Sequence, residues 1–195
     1  MMTDGSDLTE HHISSETIAS GGMLTVKRDQ VRLPNGHISQ REYVIHPGAV
    51  VVVPILPNGN VILEKQFRYP LHQVFIELPA GKIDADEAVL VTGQRELLEE
   101  TGYTAIEWVK LGHQHPCIGY SNEIIHIYLA QGLTAGSHRR DEDESLEVFE
   151  VPFKTCIAMI LQGEITDGKT IVALYLAEKY LNTHYANLNN SPSNT

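Results

Sequence analysis

Three glutamates, Glu96, Glu99 and Glu100, follow Arg95 in the run Arg95-Glu96-Leu97-Leu98-Glu99-Glu100. On a helix advancing about 100° per residue, Glu99 lies about 60° to one side of Glu96 and Glu100 about 40° to the other. The three carboxylates share one face, where like charges at i, i+3 and i+4 repel by about a few tenths of a kcal/mol per pair. A hard divalent cation would remove that repulsion. Mg²⁺ takes oxygen ligands, bridges carboxylates to phosphates and lowers the pKa of a bound water. A solvated acidic face would explain the same charges, although no Lys or Arg is interleaved on it. On charge alone the two readings stand level. Leu90, Val91, Leu97 and Leu98 fall between about 100° and 220°, which predicts the core-facing side of the helix.

The helix ends a longer pattern. Gly81 is followed by five residues and Glu87, then by seven residues and Arg95-Glu96-Leu97-Leu98-Glu99-Glu100-Thr101-Gly102-Tyr103. This resembles the Nudix box, Gly-x5-Glu-x7-Arg-Glu-apolar-x-Glu-Glu-x-Gly-apolar, at every specified position except the last, where Tyr103 replaces an aliphatic residue. The resemblance implies an α/β fold, the Nudix α/β/α sandwich with a mixed sheet, and a magnesium-dependent hydrolase with manganese as a stand-in. It implies Glu96, Glu99 and Glu100 as metal ligands together with the Ala80 carbonyl. Arg95, counted with the catalytic set, and Glu87 would orient the loop and the glutamates. Gly81 would permit a close backbone approach.

Two further segments resemble the ADP-ribose pyrophosphatase branch. Gln66-Phe67-Arg68 and Glu77-Leu78-Pro79-Ala80-Gly81 lead into the box. By that likeness Arg68 contacts phosphate or ribose through its planar fork of donors, and Glu77 is a supporting or additional metal carboxylate. Downstream, Pro116, Gly119, Ser121 and Glu123 keep the outline of a substrate-binding loop, with Cys117-Ile118 lengthening the step between Pro and Gly. The implied reaction converts ADP-ribose and water into AMP and ribose 5-phosphate. The offset of Pro116 leaves another nucleoside diphosphate sugar, such as GDP-mannose, as the alternative. A non-catalytic nucleotide-sensing module would lack the metal glutamates. For the general base the branch pattern selects Glu144, at the end of the acidic run Asp141 to Glu144, with Glu142 next and Glu123 third.

These groups need elements to hold them. A strand from Val74 to Leu78 should run into Pro79-Ala80-Gly81, and a helix should run from Glu87 to Gly102, a natural C-terminal stop. Pro34-Asn35-Gly36 and Pro57-Asn58-Gly59-Asn60 predict hairpin turns joining Met23–Leu33 to Ile38–Ile45 and Val50–Leu56 to Val61–Phe67. Further strands are expected at Ile106–Leu111, Glu123–Ala130 and Leu146–Val151, and helices at Phe153–Gln162 and Lys169–Asn182. The chain divides into a lead without fixed structure (1–22), an N-terminal β-hairpin segment (23–46), the hydrolase domain (47–183) and a frayed tail (184–195). In the resembling branch the hairpin segment reaches a second subunit, which implies a homodimer.

The formal charge of −11 over 195 residues argues against nucleic acid or an anionic membrane as partner and favours a small-molecule substrate met through cations. Cys117 and Cys156 make no disulfide framework, and the polar, acidic start carries no signal pattern, so the cytoplasm is the expected location. His113, His115 and Cys117 lack a structural-zinc spacing, and Trp108 is expected in the core. Phe67 and Tyr120 are the two aromatic candidates for stacking on a base.

Overall fold

The computed structural model describes residues 7–22, 24–136 and 145–189, with side chains to residue 184. The chain forms two units. One takes in residues 1–47 and 117–123, the other residues 48–116 and 124–195.

The smaller unit is an antiparallel sheet of β1 (His11–Ser20), β2 (Thr25–Arg32) and β3 (Ile38–Ile45), in that order. Strand β1 corrects the expectation of an unstructured lead. All ten of its residues are exposed, so it carries no burial periodicity by which a sequence betrays a strand. Backbone pairing with β2 holds it, supported by cross-strand polar pairs. Arg28 donates to Glu16 at 2.8 Å and to Glu42 at 2.8 Å, and Ser15 donates to Asp29 at 2.6 Å. Exposed ion pairs of this kind contribute little to stability, because solvent screens them. The β2–β3 turn forms as the Asn-Gly pair requires, with Gly36 at φ 83°. Segment 117–123 joins the end of β3, where Val44 N–H donates to Tyr120 O at 2.8 Å.

The larger unit holds two sheets. The first has the order β7 (Ala80–Lys82), β4 (Ala49–Pro54), β9 (Ile125–Ala135), β8 (Tyr103–Gln114), with β4 and β9 parallel and the other pairs antiparallel. The second is antiparallel, in the order β10 (Leu146–Pro152), β5 (Asn60–Arg68), β6 (Gln73–Glu77). Every residue of β4 is buried, and alternate side chains enter different cores. Val51 and Val53 pack with Leu63, Ile127, Leu174 and Ala177, on the side covered by α2 (Phe153–Gln162) and α3 (Gly168–Asn189). Val50 and Val52 pack with Leu97 of α1 (Val89–Thr101) and Tyr128. The mixed sheet therefore lies between helices on both faces, the expected α/β/α arrangement, and Val50 to Val53 form an unbroken apolar run for that reason. Trp108 packs against the α1-side core as anticipated. No helix among the described residues is long and apolar enough to cross a membrane.

Helix α1 differs from its expectation in two respects. It begins at Val89 rather than Glu87, because residues 84–87 form a turn in which Glu87 N–H donates to Asp84 O and Asp86 takes a φ of 64°. Its buried residues are Thr92, Gly93, Glu96, Leu97, Glu100 and Thr101, whereas Val91 is 49% exposed and Leu90 36%. The buried face keeps Leu97 but is turned from Leu90 and Val91 toward the carboxylates. Gly93 explains the turn: a Cβ there would lie 3.1 Å from Val50 Cγ1, so a bare glycine lets the helix settle closely on β4. Leu97, fully buried, is the main apolar anchor and contributes about 1.5–3 kcal/mol.

Candidate active site

Strand β7 pairs with β4 through Val51–Ala80 and Val50–Gly81, which sets Ala80 and Gly81 beside α1. The carboxylate of Glu96 lies directly against Gly81, where any Cβ would overlap its oxygens. A side chain at Gly81 would have to push the Glu96 carboxylate aside, so the glycine serves space and not a left-handed backbone. One residue earlier, Ala80 N–H donates to Glu100 Oε2 at 3.0 Å, tying the last turn of α1 to the strand. Glu96 and Glu100 are 8% and 3% exposed.

Arg95 occupies the middle of this group. Its Nε and Nη2 grip both oxygens of Glu87, at 3.0 Å and 2.9 Å. Its Nη1 donates to Glu96 at 2.8 Å and to Glu99 at 3.0 Å, and Nη2 also reaches the Lys82 carbonyl at 3.2 Å. The acidic face is therefore not without a cation, as helical spacing suggested. The guanidinium reaches round from the neighbouring position and bridges two of the three glutamates. Glu87 is held at a pKa of about 2 by the Arg95 hydrogen bond first, against some desolvation, with Thr92 Oγ1 donating at 2.7 Å as well. The same partner, Glu87, raises the pKa of Arg95, helped by Glu96 and Glu99 and opposed by burial.

Among the described residues no three His, Cys, Asp or Glu side chains converge in metal-ligating geometry. The guanidinium nitrogen that bridges Glu96 and Glu99 stands where a shared cation would be drawn. The donors on offer are carboxylate oxygens and the Ala80 carbonyl, an all-oxygen set that suits Mg²⁺ or Mn²⁺ and not a thiophilic metal. Gly81 leaves the room for a carboxylate to lie close to the strand.

A second ionic cluster lies where β5, β6 and the start of α3 meet. Arg68 donates through Nε and Nη2 to the two oxygens of Glu77, each at 2.7 Å. Glu77 is 2% exposed and also accepts from Lys169 Nζ. Burial pushes its pKa up, but Arg68 and Lys169 outweigh that and hold it below the ordinary value. Lys169 further donates to Asp167 at 3.0 Å, and Asp167 caps α3 by accepting from Thr170 N–H at 3.0 Å and Thr170 Oγ1 at 2.7 Å. Leu78 N–H donates to Thr170 Oγ1 at 2.9 Å, which locks the start of α3 to the strand end. An open pocket of about 280 Å³ is lined by Arg68, Phe75, Glu77, Asp167 and Lys169 among others. Glu77 thus serves Arg68 and Lys169, and its direct bonds are to these cations.

The other expected site residues fall in both units. Pro116 is exposed and belongs to the larger unit, whereas Gly119, Ser121 and Glu123 belong to the smaller one. Ser121 Oγ accepts from Glu123 N–H at 3.1 Å, and the Glu123 carboxylate lies 3.6 Å from His46 Nδ1. Glu142 and Glu144 lie outside the described residues. The structure brings Ala80, Gly81, Glu87, Arg95, Glu96, Glu99 and Glu100 together, and joins Arg68 to Glu77. Sequence reasoning missed Lys169 and Asp167, which no local pattern links to Glu77. It also missed Glu64, 1% exposed and directly opposite Glu77 in the β5–β6 register. A charge inside an apolar strand run was the available signal for Glu64.

Comparison with known proteins gives a consistent result. The family model described as NUDIX domain matches residues 45–172, and that described as nucleoside diphosphate sugar hydrolase N-terminal domain matches residues 10–44. The chain is 41% identical to an ADP-ribose pyrophosphatase of Bacillus subtilis over 86% of its length and 91% of the relative's. It is 39% identical to a methanol dehydrogenase activator of Bacillus methanolicus, over 85% and 90%. The solved structure of an ADP compounds hydrolase superposes with a TM-score of 0.81 at 25% identity, covering 90% of this chain and 95% of that one.

Proposed function

The chain belongs to the Nudix hydrolase family, and from that membership we propose that it hydrolyses the diphosphate bond of ADP-ribose, giving AMP and ribose 5-phosphate. The observation that carries the reading is the bridging of Glu96 and Glu99 by Arg95, with Glu100 held on Ala80 N–H and Glu96 against Gly81. The choice of ADP-ribose is supported by the likeness to the Bacillus subtilis enzyme.

Glu96, Glu99, Glu100 and the Ala80 carbonyl would hold Mg²⁺, or Mn²⁺ in its place. When bound, the metal supplies neutralisation of the diphosphate oxygens and a water of lowered pKa. Arg95 and Glu87 keep the carboxylates placed, and Gly81 keeps Glu96 close to the strand. Arg68 binds a phosphate or ribose oxygen, and Pro116, Gly119 and Ser121 supply further substrate contacts. Glu144 takes the proton of the attacking water, with Glu142 and Glu123 as the alternative bases. Water adds to one phosphorus as the bridging phosphorus–oxygen bond breaks. Two copies assemble through the N-terminal β-hairpin segment (23–46), and the enzyme works in the cytoplasm on a small-molecule substrate, with neither nucleic acid nor membrane as partner.

A second reading, another nucleoside diphosphate sugar such as GDP-mannose, is favoured by 38% identity, over 67% of this chain, to a GDP-mannose pyrophosphatase of Yersinia enterocolitica. Purified protein with Mg²⁺, assayed for nucleoside monophosphate release across ADP-ribose, GDP-mannose and NADH, separates the two. The expected result is a kcat/KM for ADP-ribose at least ~10-fold above the others, about 1.4 kcal/mol of transition-state preference. Faster turnover of GDP-mannose would install the second reading.

A further inference from the structure

We propose that Lys169 is a positioning residue for substrate binding: by holding Glu77 from the α3 side, it keeps the Arg68 guanidinium set to receive a phosphate oxygen. The proposal rests on the reading that Arg68 contacts substrate.

The geometry of the cluster separates an anchored edge of Arg68 from an open one. Nε and Nη2 are taken up by the two oxygens of Glu77, while Nη1 has no hydrogen-bond partner among the described residues. Arg68 lines the pocket and its side chain is 41% exposed, so the group is anchored on one edge and accessible on another. A guanidinium fixed in this way loses little rotational freedom when it binds a phosphate oxygen. Its anchor is only as firm as Glu77, whose Oε2 is shared between Arg68 Nη2 and Lys169 Nζ.

Lys169 acts on that carboxylate in two ways. It fixes Oε2 from a second direction, which keeps the carboxylate plane aligned with the guanidinium fork. It also offsets the Glu77 charge, because an Arg–Glu pair by itself is neutral and attracts an anion poorly. Asp167 and Glu64 add negative charge that Arg68 also feels, but the Asp167 Oδ2 is engaged by the first turn of α3, where it faces the positive end of the helix. Lys169 is held in place by that cap, and α3 is locked to Leu78, two residues before Ala80. The lysine thereby joins the phosphate contact to the same strand that leads into the glutamate cluster.

The test compares Arg68→Met, Lys169→Met, Lys169→Arg and the double variant Arg68→Met/Lys169→Met in ADP-ribose hydrolysis with Mg²⁺, with a thermal melt of each. Lys169→Met is expected to raise KM ~10-fold with kcat changed less than ~3-fold, and Lys169→Arg to restore KM to within ~3-fold. Arg68→Met should raise KM at least as much, and the double variant should be no worse than Arg68→Met. Multiplying defects in the double variant would mean that Lys169 acts without Arg68 and would overturn the proposal. So would an unaltered KM in Lys169→Met beside a raised KM in Arg68→Met. If Arg68→Met itself binds substrate normally, the underlying reading of Arg68 fails, and this proposal with it. A fall in melting temperature with unchanged KM in Lys169→Met would leave Lys169 a structural residue only.

Discussion

The two arginine-centred clusters of the larger unit are built with opposite proportions. Around Arg95 one guanidinium faces four carboxylates, Asp84 at 3.8 Å and Glu87, Glu96 and Glu99 within 3.0 Å, with Glu100 alongside on Ala80 N–H. Around Glu77 the buried carboxylate is shared by two cations, Arg68 and Lys169, with Asp167 paired to Lys169 at 3.0 Å and Glu64 opposite Glu77 in the strand register. The first arrangement leaves unneutralised negative charge and therefore draws cations. The second leaves a guanidinium edge without a carboxylate and therefore suits an anion. Residue types are alike in both places, and it is their ratio and burial that separate the set proposed to hold metal from the one proposed to meet phosphate.

The largest expected effect lies on the acid-rich side. Glu100→Gln keeps the shape and the bond from Ala80 but removes one charge, and should lower kcat at least ~100-fold while leaving the fold intact. Mg²⁺ is expected to raise the melting temperature of the unaltered protein, and the substitution should abolish that rise. Near-normal turnover and an undiminished Mg²⁺ effect would dissolve the contrast between the clusters. A change at Gly81 probes the same set through space alone. Gly81→Ala must displace the Glu96 carboxylate, and a loss of ~10-fold or more in turnover is expected, with a raised Mg²⁺ requirement and little change in melting temperature. Unchanged Mg²⁺ dependence would show that Glu96 need not lie against the strand.

The smallest effect concerns acid stability. Glu87 has a folded pKa of about 2 against an ordinary 4.5, so its contribution is fully present above pH 4.5 and is lost as pH falls toward 2. Glu87→Gln should lower the melting temperature near neutrality, and the gap to the unaltered protein should close between pH 4.5 and 2. A gap independent of pH would mean that the Arg95–Glu87 pair contributes packing rather than charge.

Much of the fold was readable in advance, with differing accuracy. Strand β3 and helix α2 match their expected bounds, and β10 does so to within one residue, because each is bounded by turn or stop residues that act locally. Helix α3 runs seven residues past its expected end at Asn182, since no glycine or proline stops it there. The face of α1 was misjudged because hydrophobicity alone was weighed. Gly93 and the close approach to Val50 place the glutamates inward and let Val91 lie outward.

The sequence by itself determined the family and the shared face of Glu96, Glu99 and Glu100, since both depend on spacing within one helix and one loop. It could not determine β1, whose ten exposed residues show no buried period, nor the partner of Glu77. Lys169 lies 92 residues beyond Glu77, and only the packing of α3 against the strand end brings them together. Short-range periodicity writes itself into a sequence because the helix repeats every few residues. A contact across the fold leaves no such period, and only the tertiary structure decides it.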